Sequence, residues 1–165
     1  MNNITTNIKG IRDTMRKDTG VDGDAQRISQ MVWMLFLKIF ADKEEEWDLT
    51  IEGYQSPIPE NLKWQNWASD DEGLTGDALM EFVNNELFPT LQNLDISFSP
   101  QAKIIRSVFD DTYNFMKNGT LFRQVINEID KIDFNSTEER HLFNDLYETI
   151  LKELQSAGSA GEFYT

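Results

Sequence analysis

Apolar residues recur at helical spacing along most of this chain. Ile4, Ile8, Ile11 and Met15 fall every three or four positions, with Lys9, Arg12 and Arg16 on other faces. The spacing predicts a first amphipathic helix over about 4–17. Gly20, Asp22 and Gly23 break it. A second helix follows over about Asp24 to Asp48, on the stripe Ile28, Met31, Val32, Leu35, Phe36, Ile39 and Phe40. Trp33, Met34 and Leu37 widen that stripe, which predicts a helix buried on most sides. Glu44-Glu45-Glu46 read as its solvated end.

Residues 49–76 lose the period. Pro57 and Pro59 forbid a continuing helix, and Trp64 and Trp67 stand among polar residues. A long irregular loop, pinned to the body by its two indoles, is the expectation. Leu79, Phe82, Val83 and Leu87 predict a helix over about 77–87, and Pro89 permits a short continuation carrying Leu91 and Leu94. Ser99-Pro100 is an N-cap followed by a first-turn proline. The helix it opens uses Ile104, Ile105, Val108 and Phe109 and extends toward Met116, with Gly119 as its stop. Leu121, Phe122, Val125, Ile126 and Ile129 predict a helix over about 120–130. Ser136 with Glu139 forms a capping box for a last helix through Leu142, Leu146, Ile150, Leu151 and Leu154. Ser156 to Gly161 has linker composition. No segment alternates with period two. The expectation is all-α: a multi-helix, bundle-like domain over 1–155 with a long irregular loop around 49–76, then a linker and the start of a further unit over 156–165.

Charge changes the picture. Of 165 residues, 29 are acidic and 15 basic, a net charge of −14. The imbalance is concentrated in 44–99, where Lys63 is the single base. A domain that grips duplex DNA unaided carries a basic footprint, and this chain as a whole lacks one. Lys9, Arg12, Arg16, Lys17 and Arg27 form its local positive cluster. They are either ordinary polar helix faces or a phosphate-facing edge that supports binding led by a partner.

Candidate chemistry is sparse. With no cysteine there is no disulfide, thiolate metal site or cysteine nucleophile. The single His141 cannot build a multi-histidine metal site. Asp70-Asp71-Glu72 lacks the alternate-residue spacing of a calcium loop and reads as solvated. The first residues lack the basic start and apolar run of a secretory signal. The run Met31 to Leu37 falls well short of the ~20 apolar residues of a membrane crossing. The expectation is a soluble protein of the cytoplasm. Two aromatics close the chain after a flexible linker, in Gly161-Glu162-Phe163-Tyr164-Thr165. They either fold back or open something that follows, and the second is favoured.

Three stretches carry a resemblance over essentially the whole chain. They are Gln30 to Asp42, Gly73-Leu74-Thr75-Gly76 with the helix after it, and Glu139-Arg140-His141-Leu142-Phe143-Asn144-Asp145-Leu146-Tyr147-Glu148 with the terminal Gly161 to Thr165. Together they resemble the N-terminal helical domain of the modification (methyltransferase) subunit of type I restriction–modification systems. The resemblance implies an enzyme that moves a methyl group from S-adenosylmethionine to the exocyclic amine of adenine in specific double-stranded DNA sites. It implies a specificity subunit, a second modification subunit and a restriction subunit as partners. The family's glycine-containing cofactor motif and its Asn/Asp-Pro-Pro-Tyr/Phe motif are missing, since Pro57, Pro59, Pro89 and Pro100 are nowhere adjacent. This chain alone is therefore expected not to catalyse. By the same likeness Phe163, Tyr164 and Thr165 are candidate cofactor-binding residues, and the helical domain would close over DNA. The other reading, from charge alone, is a stand-alone acidic module such as a DNA mimic.

Overall fold

The computed structural model describes residues 4–70, 72–97 and 99–133. Seven α-helices order these residues: α1 (Ile4–Met15), α2 (Gly23–Thr50), α3 (Trp64–Trp67), α4 (Gly76–Phe82), α5 (Phe88–Gln92), α6 (Pro100–Phe109) and α7 (Gly119–Asp130). Among the described residues there is no strand, in keeping with the all-α expectation. The last expected helix, His141 and the linker lie outside them.

The axis of the fold is α2, about 42 Å long at 1.5 Å per residue. Met31 to Leu35 are five consecutive buried residues, so this stretch is enclosed on every side. Its burial centres on Trp33, Met34 and Leu37, while Phe36 and Ile39 pack only partly buried at the edge. The Trp33 indole meets Phe88 of α5 at 4.8 Å, Phe109 of α6 at 6.0 Å and Phe122 of α7 at 6.1 Å between ring centroids. One side chain thus holds three helices, through edge-on and tilted ring contacts. α1 lies along α7 and buries Ile11 and Met15 there.

Two boundaries depart from the sequence expectation. α4 and α5 are one rod interrupted by a π turn over Val83–Leu87, in which the Phe88 N–H reaches back to the Val83 carbonyl. A ring at Pro89 would crowd the carbonyl four residues earlier in a regular helix, and the wider turn accommodates it. α6 stops at Phe109 and does not run on toward Met116. Asp111 takes φ 58°, a left-handed conformation that aspartate tolerates and a helix cannot propagate. The Gln92 side-chain amide then donates to the Phe109 and Thr112 carbonyls, satisfying groups the helix end leaves open. Residues 113–118 continue without regular secondary structure. The Ser99 cap is as expected: its hydroxyl accepts the Ala102 N–H at 3.1 Å.

Gly119 is not a helix stop. It opens α7 behind the Asn118 cap, whose side chain accepts from Thr120 and Leu121. A Cβ on Gly119 would stand 2.2 Å from the Gly76 carbonyl oxygen. The absence of a side chain therefore lets α7 touch the backbone at the start of α4. Gly76 itself sits at φ 60°.

Residues 51–75 are less loose than expected. Besides α3 they hold a 3₁₀ turn over Glu60–Leu62. Trp64 and Trp67 are buried, as anticipated for anchors, and donate to the Asp130 carboxylate at 2.8 Å and the Leu62 carbonyl at 3.0 Å. A third anchor is Arg123, buried on α7. Its guanidinium donates to the carbonyls of Trp67, Ala68 and Leu74. An arginine with several donors in a fixed fork suits a loop that turns three carbonyls toward one point.

Candidate nucleic-acid interface

The basic cluster spans α1, the turn after it and the second turn of α2. Lys9 and Arg12 share one face of α1 by their spacing, and Arg16 follows directly after its last residue, its N–H bonded to the Arg12 carbonyl. Lys17 is next in the same turn. Lys9, Arg16 and Lys17 are exposed, and Arg12 and Arg27 are half-buried. Arg27 donates to the Asp24 carboxylate at 2.7 Å. The Arg27 hydrogen bond and charge, with lesser contributions from Arg12 and Arg16, hold the Asp24 carboxyl below its ordinary range. Three guanidinium groups, from α1, the turn after it and α2, therefore act on one exposed carboxylate. Arg16 also pairs with Asp13 at 3.5 Å. Asp13 and Asp24 thus offset part of the cluster's positive charge.

Its placement is set by Asp18, a residue whose role has no local signature in the sequence. Asp18 is 2% exposed, in the turn that joins α1 to α2. Its carboxylate accepts the backbone N–H groups of Gly20, Lys117 and Asn118. Buried Gln30 does a matching task from α2: it accepts the Phe115 N–H at 2.7 Å and donates to Asn114 at 2.9 Å. These two side chains fasten the segment after α6 beneath the α1–α2 corner. Buried polar groups next to a non-helical segment are the signal that could have marked them.

The acidic stretch is partly withdrawn from the surface. Glu44 is buried, contrary to the expectation of a solvated helix end, and accepts the Tyr54 hydroxyl at 2.7 Å. Burial and that carboxylate push the Tyr54 hydroxyl well above its ordinary range. Asp42 is buried against Lys38 at 2.9 Å. Asp70 and Glu72 are exposed, and the described residues hold no cluster of metal-ligating side chains. No helix among them is long and apolar enough to cross a membrane.

Three surface concavities have volumes of about 340, 260 and 270 Å³. None of these three joins a glycine turn to a carboxylate, the pair that a nucleoside cofactor needs for its backbone approach and its ribose. Phe163, Tyr164 and Thr165 lie outside the described residues.

The described residues form a helical domain with one modest basic face. The HsdM N-terminal domain family matches over residues 4–129, and the chain belongs to that family. It is 58% identical over 164 residues to the type I restriction enzyme EcoEI methylase subunit of Escherichia coli, covering 98% of this chain and 34% of that protein. Its fold matches the crystal structure of a modification subunit of a putative type I restriction enzyme from Vibrio vulnificus YJ016, with a TM-score of 0.80 and 35% identity over 93% of this chain and 35% of that one. A second solved structure, from work on complex assembly and conformational transition of the type I R-M system, matches with a TM-score of 0.78 and 29% identity, covering 98% of this chain and 32% of that one. The chain spans about a third of the length of these relatives.

Proposed function

We propose that this chain serves as the N-terminal helical domain of a type I modification subunit, clamping DNA and assembling the enzyme without chemistry of its own. The observation that carries this is the 58% identity, across nearly the whole chain, to a methylase subunit three times as long. In the whole subunit the reaction is methyl transfer from S-adenosylmethionine to adenine in specific sites. A second modification subunit, a specificity subunit and a restriction subunit complete the assembly in the cytoplasm. Lys9, Arg12, Arg16, Lys17 and Arg27 face DNA phosphates. Their contribution is a salt-sensitive contact that supports a site read elsewhere. Residues 1–155 form the helical domain, and 156–165 lead toward the catalytic one. There Phe163, Tyr164 and Thr165 would hold the cofactor, which supplies the methyl group.

The test is reconstitution. The full subunit, combined with its specificity subunit and labelled S-adenosylmethionine, should methylate adenine in DNA, whereas residues 1–165 should neither bind the cofactor nor transfer the label. Methyl transfer absent from the reconstituted complex would overturn the assignment.

A further inference from the structure

In the basic cluster one cation is sheltered and its partner anion is not. The Arg27 side chain is 15% exposed, whereas the Asp24 side chain that it meets at 2.7 Å is 67% exposed. Arg27 Nη2 donates to Asp24 Oδ1, and the buried Arg27 Nε has no hydrogen-bond partner among the described residues. Arg12 and Arg16 add their charge to the same carboxylate from α1 and the turn after it. Asp24 also stands in the first turn of α2, where the positive helix pole favours an acid.

An anion is thus already in place where these cations act. A guanidinium binds carboxylate and phosphate in the same way, through charge-assisted hydrogen bonds to their oxygens. A backbone phosphate therefore seeks the donor that Asp24 occupies. An ion pair with one exposed member is weak in water and is screened by salt. It holds the guanidinium in one position, yet it yields to a dense row of negative charge.

We propose that Asp24 is a built-in competitor for DNA phosphate at Arg12, Arg16 and Arg27, so that binding exchanges an ion pair within the chain for one with the duplex. This rests on the reading of the basic cluster as a DNA-facing edge. Phosphates carry no sequence, so the exchange lowers affinity for every duplex alike. It tempers the grip of the domain and leaves the choice of site to contacts made elsewhere.

The experiment uses the full modification subunit assembled with its specificity subunit. Affinity is measured for a target duplex and an unrelated duplex, at low and high salt. Asp24→Asn keeps the shape of the side chain and removes its charge. It should tighten binding to both duplexes at low salt by up to about fivefold, the scale of an exposed ion pair. The gain should fade at high salt. Beside Arg27→Gln the same substitution should gain much less, because the masked guanidinium is gone. Affinity of Asp24→Asn equal to wild type would overturn the competitor. So would a gain that persists in full beside Arg27→Gln, since general repulsion of DNA by one acid would then explain it. A gain confined to the target duplex would overturn it as well. Arg12→Glu with Arg16→Glu separates this proposal from the reading beneath it. If that variant weakens binding while Asp24→Asn changes nothing, the competitor falls alone. If both leave affinity unchanged, the DNA-facing edge falls with it.

Discussion

The Asp18 carboxylate accepts the Lys117 backbone N–H with both oxygens, at 3.1 and 3.0 Å, across 99 residues of chain. It closes the same grip on Asn118 at 2.9 Å. Asn118 is also the cap of α7, so the turn after α1 determines where α7 begins.

Asp18→Ala removes the charged acceptor of three backbone N–H groups. A hydrogen bond to a charged group contributes about 1.5–3 kcal/mol, so stability should fall by at least that much in urea titration. Amide hydrogen exchange should quicken first at Gly20, Lys117 and Asn118. Protection at those amides equal to wild type would show that the carboxylate is dispensable.

Leu35 lies fully buried on α2. Leu35→Ala should cost roughly 2–5 kcal/mol, from the forfeited transfer energy and the cavity left behind. Chemical denaturation measures it directly, and a change near zero would contradict its central position.

Gly119→Ala forces a methyl group against the Gly76 carbonyl. Overpacking of this kind costs about 1–3 kcal/mol. Because α7 carries Arg123, the loosened packing should also raise exchange at the amides of residues 67–74. Equal melting temperatures for variant and wild type would refute the close approach.

Arg12→Glu with Arg16→Glu should weaken DNA binding by the assembled enzyme while leaving its circular dichroism intact. For every phosphate no longer neutralised, the slope of log affinity against log salt should flatten by about 0.9. Unchanged affinity at low salt would remove this face from the DNA interface.

The Asp24 carboxyl should titrate below its ordinary value of 3.8, chiefly through its hydrogen bond and charge pairing with Arg27. A lowered folded value means that the pairing stabilises fully above the ordinary value and fades as pH falls through the folded one. Arg27→Ala should therefore move the Asp24 midpoint upward in a side-chain NMR titration. The electrostatic part of its effect on stability should vanish at pH below that midpoint. An unmoved midpoint would show that Arg27 is not the dominant partner.

Much of this domain was legible from residue order. Helical periodicity placed α1, α2 and α7 to within a few residues, because a helix with one apolar face repeats locally. Ser99-Pro100 announced α6 by cap chemistry alone. The two indoles were recognisable as anchors, since large aromatics among polar residues need somewhere to be buried. The basic cluster was legible as a set of charges, but its focus on Asp24 was not.

What the residue order determined by itself, then, was the all-α class, the central helix and the uneven charge, all of which depend on neighbours three or four positions apart. Only the tertiary structure decided the end of α6, the role of Gly119, the burial of Glu44 and the tasks of Asp18, Gln30 and Arg123. Each depends on a partner far along the chain. A carboxylate has the same local signature whether water or a distant backbone N–H satisfies it, and folding alone selects between the two.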